Sequence, residues 1–491
     1  MKLTVQRFGL VIVGAGPGGL APLLAAHRLG RLDELLAAGV AVVERSPSLG
    51  GGSIGGYAIN SDSSGTTFVD CLRAPGRTRL TELADHPLTR ALAAAGEGAV
   101  ALRDAGRFLD LVGATLGGMV AAHPACAVLT RHEAVSAAHD PGRLGGWRVS
   151  VRDADGRERT LVARHVVLAT GARQPAQRLA AEQVGGENLA ERVGARLLQS
   201  GDVLSIGGLE QVAARLAELP SSRVAVVGGS TSAAAVCHAL LHRMPGVRFG
   251  AGAITLLHRR ELRVYYPDVA SALAEGYTEF TDDDLCPISG RVFRFAGFRL
   301  DSREMIMQAR GIGGRPAEPR LALHLLQQPT DAAAWRILDA ADLVVAAMGY
   351  RPNALPVLDR AGREIPLLTH SGPQQPLVDG QCRVLDADGR PLAGLFGIGL
   401  AAGFMPRGAL GGEPSFRGQA NGLWLWQNDV GGLIVNAVLA PTQLASTQPA
   451  PTPLLFDPPD SPFDQDLAWA FLGNEIHPTP QRATLETAEG D

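Results

Sequence analysis

Two glycine-rich loops, about two hundred residues apart, constrain the fold of this 491-residue chain more than any other feature. The first occupies residues 11–19 and the second residues 224–233. Each follows a short apolar segment and precedes an apolar, helix-forming one, which is the order of strand, phosphate-binding turn and helix in dinucleotide-binding domains. We therefore predict an α/β fold with two Rossmann-like domains. A chain that binds two dinucleotides usually moves electrons between them.

The first loop has the spacing G-x-G-x-x-G at Gly14, Gly16 and Gly19. The first glycine permits the tight turn, the second lets the backbone approach a pyrophosphate, and the third lets the helix pack close to the strand. A glycine triplet alone is also compatible with an ordinary turn. Here Glu44 ends the next apolar segment, where a carboxylate would accept hydrogen bonds from a ribose. The context therefore favours a dinucleotide site.

The second loop is degenerate, with Gly228, Ser230 and Ala233 at the three glycine positions. Alanine is an accepted third residue, and serine keeps the side chain small. The following apolar segment ends in Arg259 and Arg260 rather than in an acid. This pair is placed where a 2′-phosphate would lie, so we predict NADPH rather than NADH. A solvated arginine pair at a strand end is the alternative.

Composition and charge exclude several classes of protein. The net charge of −4 gives no reason to expect a nucleic-acid partner. No segment has the length and purity of a membrane helix, and the N-terminus has no signal-peptide pattern. The cysteines are scattered without a C-x-x-C pair, which argues against a disulfide framework, a zinc site or a thiol–disulfide flavoenzyme. We expect a cytoplasmic protein without a metal; its oligomeric state is left open.

The segments suggest a domain order. We predict a first nucleotide-binding part at 1–175, a connecting helical segment at 176–222, a second nucleotide-binding domain at 223–350 with an insertion at 264–314, a return to the first domain at 351–440, with a helix over 416–438, and a proline-rich tail at 441–491.

This layout resembles the two-dinucleotide-binding flavoprotein superfamily over essentially the whole chain. The resemblance rests on both glycine loops, on residues 168–171 and on residues 395–399. It implies a discontinuous FAD domain with the NADPH domain inserted in its middle. Leu400 stands where the reductase branch usually has an aspartate that holds the ribityl chain. The resemblance implies FAD contacts at Gly14, Gly16, Pro17, Gly18, Gly19, Glu44, Arg45, Val135, Thr170, Gly171, Gly399 and Leu400.

Within that superfamily, the chain is most similar to class B flavin monooxygenases that N-hydroxylate ornithine or lysine. Their D-x3-[LF]-A-T-G-Y motif is matched at Asp342, Ala347, Gly349 and Tyr350, while Ala346 and Met348 depart from it. The F-x-G-x3-H segment of Baeyer–Villiger monooxygenases is not found. The resemblance implies NADPH contacts at Gly228, Ser230, Thr231, Ser232, Arg259, Arg260 and Tyr350.

The function implied is an FAD- and NADPH-dependent monooxygenase of secondary metabolism. Such enzymes form a C4a-(hydro)peroxyflavin from O2 and transfer one oxygen atom to a primary amine or amino acid, either free or tethered to a carrier. Two alternatives remain open. One is an NADPH-dependent flavin oxidoreductase that inserts no oxygen, and the other is a non-catalytic nucleotide-binding protein that senses redox state.

Three residues are candidates for the reacting centre. Asn60 and Ser61 follow a glycine-rich run, in a stretch that approaches the flavin ring in related folds. A polar turn is an equally good interpretation of these two residues. Arg407 is a candidate for a contact with the flavin or with a substrate carboxylate, although a surface arginine fits its sequence context as well.

Overall fold

The computed structural model of the protein describes residues 7–140, 142, 146–327, 329–372 and 375–441. The strands within these residues are, in chain order, β1 (Arg7–Val13), β2 (Val40–Glu44), β3 (Asn60–Ser64), β4 (Ala99–Ala101), β5 (Ala127–Thr130), β6 (His132–His139), β7 (Trp147–Asp153), β8 (Glu158–Leu168), β9 (Ala172–Arg173), β10 (Gln183–Val184), β11 (Glu187–Asn188), β12 (Leu197–Gln199), β13 (Val224–Val227), β14 (Ile254–His258), β15 (Leu321–Leu325), β16 (Leu343–Ala346), β17 (Arg351–Pro352), β18 (Val357–Leu358), β19 (Arg383–Leu385) and β20 (Pro391–Gly397).

The α-helices of the same residues are α1 (Pro17–Arg28), α2 (Leu32–Ala37), α3 (Gly65–Val69), α4 (Pro87–Ala94), α5 (Leu102–Ala122), α6 (Ala176–Ala180), α7 (Leu189–Val193), α8 (Ser200–Leu204), α9 (Gly208–Ala217), α10 (Thr231–His242), α11 (Val269–Ala274), α12 (Leu300–Arg310), α13 (Ala332–Ala340), α14 (Leu423–Leu425) and α15 (Gly431–Leu439). A single π-helical segment, Trp426–Val430, joins the last two.

The first sheet is built around β1, which pairs in parallel with β2 on one side and β8 on the other. Its residues Leu10, Val11 and Ile12 have no exposed surface, as expected for a parallel strand covered on both faces. The chain returns to this sheet late, because β20 pairs in parallel with β8. The first nucleotide-binding domain is therefore discontinuous, as predicted.

The second sheet has the strand order β12-β16-β13-β14-β15, and all its pairs are parallel. Its first edge strand, β12, comes from residues 176–222, which the sequence suggested were only a connection. The second sheet therefore begins before residue 223. A three-residue strand is too short for the alternation or apolar run that identifies strands in a sequence.

The two chain segments that connect the first sheet to the second run side by side. In the paired strands β9 and β17, Arg351 lies opposite Arg173 in antiparallel register. Next to them, the side chain of Asn353 donates to the carbonyl of Thr170 at 3.2 Å, and its backbone amide donates to Gly171 at 2.9 Å. Both strands of the linker are thus tied to each other beside the turn that ends β8.

The C-terminal helix begins later than predicted. The helical region starts at Leu423 instead of 416, since Gly418 and Gly422 lower the helix propensity of the preceding segment. It then continues through the π-helical segment to Leu439. Nearly all of the predicted proline-rich tail, from 442 onward, lies outside the described residues. Within the described residues, no helix combines the length and apolar character needed to span a bilayer.

Candidate functional site

The first glycine loop leaves no room for a side chain at Gly14 or at Gly19. Gly14 has a φ of +88°, and a Cβ there would lie 2.3 Å from the carbonyl oxygen of Ala169. A Cβ on Gly19 would lie 1.8 Å from the carbonyl oxygen of Gly14. Helix α1 begins just beyond this turn, with Pro17 at its first position and no side chain capping it at Gly16. Its first-turn amides are therefore available to an anion, as in dinucleotide sites.

Two other loops approach the first turn of α1 with backbone alone. A Cβ on Gly18 would lie 3.0 Å from the Cα of Gly399, and a Cβ on Gly16 would lie 3.5 Å from that of Gly52. Gly399 itself has a φ of +105°, which a side chain would strain. The cradle thus formed at the start of α1 fits a pyrophosphate that needs close backbone approach.

Glu44 lies beside this loop and holds it in place. Its Oε2 accepts a hydrogen bond from the amide of Ala15 at 2.7 Å, and its Oε1 accepts one from the amide of Ser46 at 2.8 Å. Each carboxylate oxygen can accept more than one hydrogen bond, so the predicted ribose contact remains compatible with this geometry. The neighbouring Arg45 is exposed.

The other predicted FAD contacts lie at three separate places in the fold. Val135 lies in β6 at a register shift between Ala134 and Ser136. The hydroxyl of Thr170 donates to the carbonyl of Asn353. Leu400, at the end of the return strand, packs against Tyr350 and the neighbouring alanines.

The second loop repeats the geometry of the first. Gly228 has a φ of +139°, and a Cβ there would lie 2.4 Å from the carbonyl oxygen of Ala347, the counterpart of Ala169. Helix α10 begins at the next turn, with Ser230 at its N-cap. The hydroxyls of Ser230 and Ser232 are buried and have no hydrogen-bond partner within the described residues. The hydroxyl of Ser230, at the N-cap itself, suits a phosphate-bearing ligand. The hydroxyl of Ser232 instead lines the cleft between the domains.

The two residues predicted to bind the 2′-phosphate of NADPH, Arg259 and Arg260, follow β14 and are partly buried. The guanidinium of Arg259 contacts the carboxylate of Glu182 and the carbonyl of Gln183, each at 2.6 Å. The carbonyl of Arg260 bonds Nδ1 of His258 at 2.6 Å, and burial lowers the pKa of that imidazole. Because Glu182 already offsets one charge, the NADPH contact of Arg259 remains a prediction.

A narrow cleft, open to solvent on one side, separates the two nucleotide-binding domains. Its walls come from β3, the first turns of α10, the start of α12 and the segments beside them. The cleft is lined by Tyr57, Ile59, Asn60, Ser61, Asp62, Leu102, Leu204, Thr231, Ser232, Ala235, His238, Asp301 and Ser302. Four residues singled out in the sequence thus meet at one place. Arg407 does not join them, since it is exposed at the start of the turn Gly408–Leu410.

Asn60 connects the two domains across this cleft. Its amide nitrogen donates to Oδ2 of Asp301 at 2.8 Å, and its amide oxygen accepts from Arg243 at 2.7 Å. Ser61 is different, because its hydroxyl accepts from the amide of Ser63 at 2.8 Å within the same strand. This bond between Ser61 and Ser63 is a local turn interaction, which is the alternative to a flavin contact that the sequence left open.

Tyr350 lies buried where the second domain meets the first. Its phenol is hydrogen-bonded to Tyr57, and burial raises its pKa far above the ordinary value. The predicted NADPH contact is therefore close to the segment that leads into β3.

Asp62 is the site residue that sequence reasoning missed. Its Oδ1 accepts from the hydroxyl of Ser302 at 3.3 Å, and the hydroxyl of Thr231 also bonds it. Burial, helped by the nearby Asp301, raises the pKa of this carboxyl to about 8. The acid is visible in the sequence beside Asn60, but its partners belong to the other domain, so no local pattern revealed its role.

Comparison with known proteins gives one family and several similar folds. The model of the family described as pyridine nucleotide-disulphide oxidoreductase matches residues 8–283. A CMP-5'-(3-aminopropyl)phosphonate hydroxylase from Streptomyces rubellomurinus is 35% identical over 440 residues, which is 89% of this chain and 98% of that protein.

Among solved structures, the FAD-bound cadaverine monooxygenase DfoA from Erwinia amylovora has a TM-score of 0.52 at 14% identity, covering 91% of this chain and 99% of its own. Reduced ornithine hydroxylase PvdA from Pseudomonas aeruginosa has a TM-score of 0.50 at 15% identity, covering 89% and 99%. At such identities these two structures establish the likeness of the fold alone.

Proposed function

The chain belongs to the pyridine nucleotide-disulphide oxidoreductase family, and from its similarity to the hydroxylase described above we propose that it is an FAD- and NADPH-dependent monooxygenase that N-hydroxylates a primary amine. The observation that carries the proposal is the relative named as a hydroxylase of an aminoalkyl compound, which aligns over 98% of its length. Both glycine loops, each at the start of a helix, support it.

The two loops divide the cofactors between them. FAD would lie on the cradle at the start of α1, and NADPH on the start of α10, each with its pyrophosphate at a helix N-terminus. When bound, the flavin accepts a hydride from NADPH and uses the two electrons to activate O2. The overall reaction is R–NH2 + O2 + NADPH + H⁺ → R–NHOH + NADP⁺ + H2O.

The residues of the chain bind, orient and exclude water. Glu44 fixes the first loop through the amide of Ala15, and Arg259 with Arg260 would select the 2′-phosphate of NADPH. Asn60 holds β3 to α12 across the cleft. The apolar walls of the cleft, among them Leu102 and Leu204, would limit the entry of water to the reacting centre.

The substrate we propose is a small molecule with a primary amine. Since the relative acts on an aminopropylphosphonate linked to CMP, a nucleotide is the first carrier to test, and a carrier protein is the second. All five cysteines are free thiols, which favours a reducing compartment such as the cytoplasm.

The test is a coupling assay on the purified holoenzyme. Consumption of NADPH and formation of hydrogen peroxide and hydroxylamine would be measured. The amines tested would be 3-aminopropylphosphonate, its CMP ester, L-ornithine and cadaverine. We expect about one hydroxylamine per NADPH with at least one amine. Peroxide equal to NADPH with every amine would instead identify an oxidoreductase without oxygen insertion. Absence of NADPH consumption would identify a redox-sensing protein.

A further inference from the structure

The cleft between the domains presents carboxylates where a cation could reach them. Asp62 on β3 and Asp301 on α12 both line it, and of the described residues that line it none is lysine or arginine. His238 lies on the α10 side with Nε2 3.9 Å from Asp301, and burial lowers the pKa of this imidazole. The cleft is therefore electronegative when both acids are ionised.

The environment of Asp62 leaves its charge poorly compensated. It is 8% exposed, and its hydrogen-bond partners are the neutral hydroxyls of Ser302 and Thr231. Arg299 attracts the carboxylate, but this guanidinium stacks on Tyr265 at 3.7 Å and donates to the carbonyl of Arg294. A buried carboxylate in such a setting is costly unless a cation joins it.

A second, independent feature of the cleft also points to a ligand. The hydroxyl of Ser232 lines the same cleft, is 2% exposed, and has no hydrogen-bond partner within the described residues. Buried hydroxyls are normally paired, so this one is left for a molecule that enters the cleft. It comes from the first turn of α10, on the wall formed by the second domain.

We propose that this cleft binds the amino group of the substrate and that Asp62 is the residue that accepts its proton. The inference rests on the proposed function and deepens it. An alkylammonium group has no lone pair and cannot attack an oxygen donor. In the step assigned here, an N–H bond of R–NH3⁺ breaks, its electron pair stays on nitrogen, and the proton moves to a carboxylate oxygen of Asp62. No electron is gained or lost.

The raised pKa of Asp62 agrees with this role. An exposed aspartate, with a pKa near 3.9, is a very weak base toward an alkylammonium group with a pKa near 10.4. A carboxyl with a pKa of about 8 is much closer to that value. Below about pH 8 the carboxyl of Asp62 is already protonated in the free enzyme, so kcat/KM for the amine should fall as the pH falls.

The experiment compares D62N with the wild type and with D140N, each as holoenzyme. Asp140 is a suitable control because it is an equally buried carboxylate of the first domain, bonded to Arg148 and outside the cleft. We expect D62N to reduce its flavin with NADPH within about twofold of the wild-type rate. Hydroxylamine formation at pH 7.5 should fall at least about 100-fold, with NADPH diverted to peroxide. D140N should remain coupled.

A second variant keeps the inference testable if D62N loses its flavin. S302A removes a hydrogen bond that lowers the pKa of Asp62 without changing any charge. The inflection in kcat/KM near pH 8 should therefore move to higher pH in S302A. An unmoved inflection in S302A, or normal coupling with the wild-type pH profile in D62N, would overturn the inference.

The remaining outcomes separate the two proposals. If D62N slows flavin reduction and raises the KM for NADPH, the carboxyl serves the nicotinamide and the inference fails while the proposed function stands. If the wild type forms no hydroxylamine with any of the four amines named above, the proposed function fails first. The inference then falls with it, before any variant is made.

Discussion

The buried carboxyl of Asp62 predicts an unusual dependence of stability on pH. An aspartate of the unfolded chain titrates near 3.8, whereas burial raises the pKa of Asp62 to about 8. The folded protein therefore binds this proton more tightly than the unfolded chain does. The stability it contributes is complete below pH 4 and is lost as the pH rises through 8. At about 1.4 kcal/mol per pH unit, the full loss is about 6 kcal/mol.

D62N removes this dependence of stability on pH, because the amide is isosteric with the protonated carboxyl and does not ionise. The free energy of unfolding of D62N relative to wild type should therefore increase by about 4 kcal/mol between pH 5 and pH 9. If the 491-residue chain unfolds as one unit, that corresponds to about 4 °C in Tm. Thermal unfolding of both proteins at the two pH values measures it. A difference in Tm that does not change with pH, or a wild type more stable than D62N at pH 9, would refute the reasoning.

Three other predictions test the cofactor loops and a second buried acid. G14A should be purified without flavin, measured as absorbance at 450 nm per protein, because its Cβ would meet the Ala169 carbonyl at 2.3 Å; a flavin-replete variant would contradict the cradle. R259A combined with R260A should raise the KM for NADPH more than about tenfold and leave the KM for NADH within twofold. Equal changes in the two KM values would show that the arginines stabilise the fold and do not select the 2′-phosphate. D331N should lower stability at pH 7: burial raises the pKa of Asp331, but hydrogen bonds from the amides of Gln327 and Ala334 and from His324 outweigh it and lower that pKa to about 2. The loss of stability in D331N relative to the wild type should shrink as the pH falls toward 2. Denaturant unfolding measures this loss, and a loss that does not change with pH would contradict the prediction.

The sequence revealed the glycine loops because their information is local. Strand, turn and helix are contiguous at both Gly14 and Gly228, and the left-handed φ that each adopts is what its glycine predicts. The discontinuous domain was predicted through the resemblance to two-dinucleotide-binding flavoproteins, and the parallel pairing of β20 with β8 agrees with it. The structure adds that the carbonyl oxygens of Ala169 and Ala347 lie against Gly14 and Gly228, so that a side chain at either glycine would collide with them.

Features that depend on distant parts of the chain were not visible. Strand β12 is recognisable only through its pairing with β16, and Asp62 only through hydroxyl groups about 170 and 240 residues away. Arg407 stays a prediction, for a different reason. Its glycine-rich neighbourhood resembled a binding loop, but a sequence does not say whether a loop faces a cleft or the solvent, and this arginine is exposed.

The most direct test of the central claim follows the oxygen atom. The holoenzyme would be incubated with NADPH, 18O2 and CMP-5'-(3-aminopropyl)phosphonate, and with L-ornithine in parallel, and the products analysed by mass spectrometry. The account predicts a hydroxylamine carrying one 18O atom per NADPH oxidised with at least one of the amines. Complete recovery of the amines unchanged, with all of the NADPH accounted for as H2 18O2, would contradict it.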